Sequence, residues 1–231
     1  MTLRDDLLSD IESRLQATLI PSYRNKSQAW DLFEAFVFSI LVEAAVEEGA
    51  QLPIQFEDTS GNASSNLLFR RSPGHVNDSE KYVHAVLKFP IDGQTLELEA
   101  HLGVYAVGAS GVPQECDIAL VLRKEGQRCR KIHNKRAVIK STSILLGVEC
   151  KCYESSSISL GLGRSFLGLV QDLSSKGRYY FVFNGTKSSV EKLLSHYEKG
   201  WEHNLSPSSS KEIERLRYAF QDRLKSLKAR V

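Results

Sequence analysis

No stretch of this chain reaches the ~18 consecutive apolar residues that suggest a membrane span. Its opening, MTLRDDLLSDIESRL, alternates charged and apolar residues where a signal peptide would carry an unbroken apolar core. The expectation is a cytoplasmic protein with no membrane association. Charge of one sign is not in excess: 30 Lys and Arg against 28 Asp and Glu leave a formal +2. Any nucleic-acid surface must therefore come from local clustering. Cysteine is scarce, and Cys116, Cys129, Cys150 and Cys152 form no CxxC pair. That spacing matches no common zinc pattern and predicts reduced, buried thiols on strands. The histidines show no ligand spacing and are assigned no chemistry. GLGRSFLG lacks the Gly-Lys-Ser/Thr of a nucleotide phosphate loop, and no internal repeat is present.

What remains is an ordinary globular composition, 42% apolar and 25% charged, in 231 residues, enough for one sizeable domain with additions. Apolar spacing predicts helices over 3–19 and about 27–48, and residues 57–80 read as a loop. Strands are expected on both sides of Asp92-Gly93, a hairpin turn signal, and again over 115–122 and 143–152. Leu96, Leu98, Ala100, Leu102 and Val104 alternate with polar positions, as in a half-buried strand. Then come a helix around Leu162, Phe166 and Leu173, the strand RYYFVFNG, a helix over 187–200, a Ser/Pro linker at 205–210 and a basic amphipathic helix over 211–230. The expected class is α/β of the α+β mixed kind, a mixed sheet with helices on its faces. The organisation expected is an N-terminal helix in 1–26, a core in 27–200, and linker plus C-terminal helix in 201–231.

The stretch LLGVECKCYESS carries the chemistry. An apolar lead-in, Leu145 to Val148, ends in Glu149 and Lys151, which share a strand face because they lie two apart. Upstream, Asp117 opens the apolar run IALVL. If the two strands are neighbours, Asp117 and Glu149 converge, and two close carboxylates call for a cation between them. Hard oxygen ligands that leave room for water suit Mg²⁺ or Mn²⁺. Lys151 beside that ion could hold a scissile phosphate or orient water, with its pKa pressed downward.

Asp117 followed by Glu149-Cys150-Lys151 resembles the D…E-x-K motif of the PD-(D/E)xK nuclease superfamily, the restriction-endonuclease-like fold. GASGVPQECDIAL is similar to the Gly/Ser turn and acid-x-Asp strand of many members, and WDLFEAFVFSIL resembles their first core helix. Cys116 stands where the family name has proline, and the insertion RKEGQRCRKIHNKRAVIK lengthens the connection between the two strands. The resemblance implies a divalent ion held by Asp117, Glu149 and the Cys150 backbone carbonyl, with Glu34 assisting. It implies metal-dependent endonucleolytic hydrolysis of DNA, with restriction or phage defence as a common use of such chains. A non-catalytic nucleic-acid-binding or assembly module on the same fold, or a nuclease directed at RNA, are the alternatives. Double-strand cleavage would call for a homodimer or a partner protein.

Between the two strands, Arg123, Lys124, Arg128, Arg130, Lys131, Lys135 and Arg136 face one acid, Glu125. Such a cluster suits phosphate contact without sequence readout. Arg164, early in the next helix, is a further candidate for a phosphate.

Overall fold

The computed structural model describes residues 2–132, 136–153, 158–173 and 177–231. Three helices come first: α1 (Leu3–Leu15), α2 (Pro21–Lys26) and α3 (Ala29–Glu47). Pro21, which the sequence suggests as a stop for the first helix, opens α2 instead, where its missing N–H is not needed. Strands β1 (Gln55–Glu57), β2 (His84–Ile91), β3 (Gln94–Val107) and β4 (Pro113–Leu122) follow, then helix α4 (Arg123–Arg130). The chain continues through β5 (Ile139–Lys140), β6 (Ile144–Lys151), α5 (Leu160–Asp172), β7 (Arg178–Phe183), α6 (Ser188–His196), β8 (Gly200–Glu202) and α7 (Ser210–Lys228).

The described strands form one mixed sheet in the order β1-β2-β3-β4-β6-β7-β8, with β5 paired to β3. The first half is an antiparallel meander. Its tightest turn is Asp92-Gly93, where both residues take positive φ (43° and 84°), as a two-residue hairpin with right-twisted strands requires. β6 pairs antiparallel with β4 but parallel with β7, and β7 parallel with β8. Helices α5 and α6 make those parallel crossovers.

Each face of the sheet is covered. On one side α3 lies between the sheet and the two terminal helices. It is apolar almost all round, burying Phe33, Phe36, Val37, Phe38, Ile40 and Leu41, because it meets strands on one side and α1 and α7 on others. The α1 and α7 stripes (Leu7, Ile11; Ile213, Leu216, Phe220, Leu224) belong to this same core. On the other side α5 and α6 cover a second cluster containing Phe166, Phe181, Phe183 and Val190. Gly147 on β6 is needed there, since a Cβ would lie 2.7 Å from the Tyr179 ring. Among the described residues, no helix is long and apolar enough to cross a membrane.

Candidate active site

The site is built where β4 and β6 part. Their ladder ends at Ile118↔Val148. One step further, the Asp117 carboxylate takes over the role of a backbone partner: its Oδ2 accepts the Cys150 N–H at 2.7 Å. In a strand the N–H and C=O of one residue face the same neighbour, so the Cys150 carbonyl faces this gap as well. Lys151 Nζ lies 2.6 Å from Glu149 Oε1 and 3.7 Å from Asp117 Oδ2. The turn leading into β4 is fixed from α5, whose Asp172 accepts from Ser110 N–H at 2.7 Å and from Ser110 Oγ at 2.8 Å. Thus the Gly/Ser turn, the Asp strand and the E-x-K strand are held in register by one another.

A cleft of about 770 Å³ opens above these groups, walled by Asp31, Glu34, Glu115, Asp117, Cys150 and Lys151. Glu34 comes from α3, on the first two turns of that helix. Its carboxyl is pushed up to about 9 by burial, with Asp117 and Glu115 adding repulsion. Burial and then Glu149 push Asp117 up to about 7. Glu115 rises for the same two reasons. Burial alone would depress the Lys151 ammonium, but Asp117 and Glu149 outweigh it and hold it above its ordinary value. This corrects the expectation of a lowered lysine: with two carboxylates in reach, attraction beats desolvation. Four acids, Glu34, Glu115, Asp117 and Glu149, therefore share one ammonium, while Arg71 at the mouth acts on Asp31, and the inner cleft is short of positive charge. That donor set, all oxygen and under-compensated, fits a hard divalent cation.

At the mouth stand Trp30, 54% exposed, Tyr153, 38% exposed, and the exposed Arg71. None of these three, nor Glu115, was singled out in the sequence. The acid-x-Asp pattern was the available signal for Glu115; no local pattern marks the others.

The basic segment behaves differently from expectation. It is not a loop of free cations but contains α4, and three of its arginines turn inward. Arg123 Nη2 donates to Glu57 Oε1 at 2.8 Å. Arg128 holds Glu125 through two bonds of 2.9 and 2.7 Å, and Arg130 holds Glu99 through two of 2.9 and 2.5 Å. Buried carboxylates within reach claim them before any phosphate can. Lys124, Lys131 and Arg136 stay exposed. Arg136 lines a neighbouring cleft of about 890 Å³, which shares Pro73 with the first. Lys135 lies outside the described residues. Arg164 is exposed on α5 and does not line the cleft that holds Asp117.

The inward-turned arginines surround a second cluster. Glu57, His84 and Glu99, from β1, β2 and β3, bring ligand atoms within 4.8 Å of one another and could hold a metal ion. No local spacing marks these residues, which are far apart along the chain and converge only through the β1-β2-β3 pairing. The alternation along β3 predicts a half-buried strand, whereas Glu99 and His101 on its polar face are both buried.

No family model, curated protein or solved structure matches this chain.

Proposed function

We propose that the cleft above Asp117, Glu149 and Lys151 is the active site of a divalent-metal-dependent nuclease, with DNA as the substrate class that the PD-(D/E)xK resemblance implies. The observation that carries the reading is the shortage of positive charge where β4 and β6 part: buried Asp117 and half-buried Glu34, both displaced upward, with only Lys151 to compensate. The order of α3, the meander, the E-x-K strand, α5 and a parallel β7 supports the same reading.

Asp117, Glu149 and the Cys150 carbonyl would hold Mg²⁺ or Mn²⁺, with Glu34 on the opposite wall. When bound, such an ion neutralises charge building on a phosphodiester and lowers the pKa of a coordinated water. The chain's own residues do the rest. Lys151 stays protonated, so it acts as a fixed positive charge and hydrogen-bond donor to a phosphate oxygen or the attacking water, not as a base. Asp117, braced by the Cys150 N–H, keeps a fixed orientation between the two strands. Glu34 holds a proton on its carboxyl at neutral pH in the metal-free protein. Arg71, at the mouth, is placed to steer an anionic backbone inward, and Trp30 and Tyr153 offer rings on which a base can stack.

The test is cleavage of plasmid DNA, oligonucleotide DNA and RNA with Mg²⁺ or Mn²⁺ and with EDTA, for the wild type, Asp117→Ala and Lys151→Ala. Metal-dependent DNA cleavage that falls by roughly 10²-fold or more in both variants supports the proposal. Cleavage of RNA alone moves the substrate class. Equal behaviour of wild type and variants removes the site.

A further inference from the structure

We infer that Glu57, His84 and Glu99 form a second divalent-metal site, separate from the cleft, that takes a zinc-class ion between β1, β2 and β3. The three residues are 3%, 3% and 0% exposed. His84 Nε2 lies 3.7 Å from Glu57 Oε2 and 3.6 Å from Glu99 Oε2. Zinc holds nitrogen and oxygen donors at about 2.0–2.1 Å, which at tetrahedral angles separates neighbouring donors by roughly 3.3 Å. Each oxygen therefore needs to approach the imidazole nitrogen by only a few tenths of an ångström, and the three atoms all lie within 4.8 Å of one another. One of them has no other use: Glu57 Oε2 is buried and lacks a hydrogen-bond partner. A buried acceptor left unsatisfied is costly and points to something it binds.

The surroundings divide the Glu57 carboxylate into two ends, while Arg130 spans both oxygens of Glu99. The Oε1 atoms are held by guanidiniums, Glu57 by Arg123 at 2.8 Å and Glu99 by Arg130 at 2.5 Å. The Oε2 atoms face His84. Outer partners on the non-ligating oxygen orient a carboxylate for a metal. His101 adds a contact to Glu99 Oε2 at 3.0 Å, and its ring stacks on His84 with centroids 4.7 Å apart. Two groups compete for Glu99 Oε2: His101 Nε2 at 3.0 Å, and Arg130 Nη1 at 2.9 Å, which also lies 3.4 Å from His84 Nε2. Arg130 also walls the 890 Å³ cleft, so it stands between the cluster and solvent and has somewhere to withdraw. An imidazole among the donors selects zinc-class ions over Mg²⁺ or Ca²⁺, in contrast to the all-oxygen set around Asp117.

The experiment is calorimetric titration of chelator-stripped full-length protein with Zn²⁺, alongside thermal melts with and without the ion. Expected is one equivalent bound with a rise in Tm, and affinity weakened by roughly 10–100-fold or more in His84→Gln and Glu57→Gln. Binding should persist in Asp117→Asn, which separates this site from the cleft. Arg130→Met is the variant that misfolding cannot imitate: removing this competitor should tighten Zn²⁺ binding. Absence of Zn²⁺ binding by the folded protein, loss of binding in Asp117→Asn instead of His84→Gln, or weaker binding in a folded Arg130→Met protein would each overturn the assignment.

Discussion

Asp117→Asn should make the metal-free protein more stable and leave it unable to use a metal. Asp117 is 3% exposed and its carboxyl titrates near 7, against 3.8 for an ordinary aspartate, because of burial first and Glu149 second. An acid whose folded pKa is raised keeps its proton longer in the native state than in the unfolded one. Its ionisation therefore costs stability that begins to be lost above about pH 4 and is fully lost above about pH 7. About three pH units at ~1.4 kcal/mol each set a ceiling on the order of 4 kcal/mol at pH 8. Asparagine gives back part of this. It is uncharged, so it weakens the 2.7 Å hydrogen bond from Cys150 N–H and ends the attraction to Lys151 Nζ at 3.7 Å. Those losses amount to ~1–2 kcal/mol. The net gain is about 2 kcal/mol, or roughly 4–8 °C in Tm for a chain of this length. The assay is thermal unfolding in EDTA from about pH 4 to pH 8, where the advantage of the variant should grow from near zero to its plateau. The same variant should show no Mn²⁺-dependent rise in Tm. A variant less stable than wild type at pH 8 would refute the reasoning, since Asp117 would then be a satisfied partner of Lys151 and not an under-compensated ligand.

Lys151→Met should abolish cleavage, by roughly 10²-fold or more, while calorimetry still detects Mn²⁺, because the ammonium competes with the ion for Asp117 and Glu149; loss of Mn²⁺ binding would make Lys151 a purely architectural ion-pair partner. Mn²⁺ affinity in the wild type should climb with pH from about 6 to about 9, as carboxyls near 7 (Asp117) and near 9 (Glu34) give up protons, and a flat profile would exclude them as ligands. Arg71→Ala should weaken DNA binding and lower the slope of log affinity against log salt by about one, measured by fluorescence anisotropy, with Tm unchanged. Trp30→Ala should cost single-stranded DNA affinity by ~1–3 kcal/mol in the same assay. Gly147→Ala, whose new Cβ would stand 2.7 Å from the Tyr179 ring, should destabilise by ~1–3 kcal/mol in denaturant unfolding.

The parts of this structure that show in the sequence are those with a periodic reason. α3 and β3 carry long apolar patterns, and the Asp92-Gly93 turn has a local cause, so their positions follow from nearby residues. The convergence of Asp117 with Glu149 and Lys151 also follows, because it needs only two strands to be neighbours. β1 and β8 are three residues each, too short to show any period. α4 is hidden for another reason: RKEGQRCR has no apolar stripe, and arginines reaching carboxylates on other strands hold it instead. Alternation along β3 shows that two faces differ in polarity, but not what covers the polar one. Glu99 and His101 look solvated until α4 is placed over them.

That difference separates two groups of acids in one chain. Glu57 is held down to about 2: burial pushes its carboxyl upward, but His84 beside it and the hydrogen-bonded Arg123 overcome it. Glu34 and Asp117 are displaced the other way, because burial raises them, neighbouring acids add repulsion and Lys151 offsets too little of it. The origin is topological. α4 follows β4 directly and delivers its guanidiniums to the β1–β3 side, away from the gap between β4 and β6. An ion entering the first group has to move Arg130, a long side chain with two bonds to Glu99, so binding there is selective and slow to reverse. An ion entering the second would displace protons and loosen the Lys151 ion pair, with no guanidinium to move. A structural site gains from the first arrangement. A site that took up and released a phosphodiester with every turnover, as proposed for Asp117, Glu149 and Lys151, would need the second.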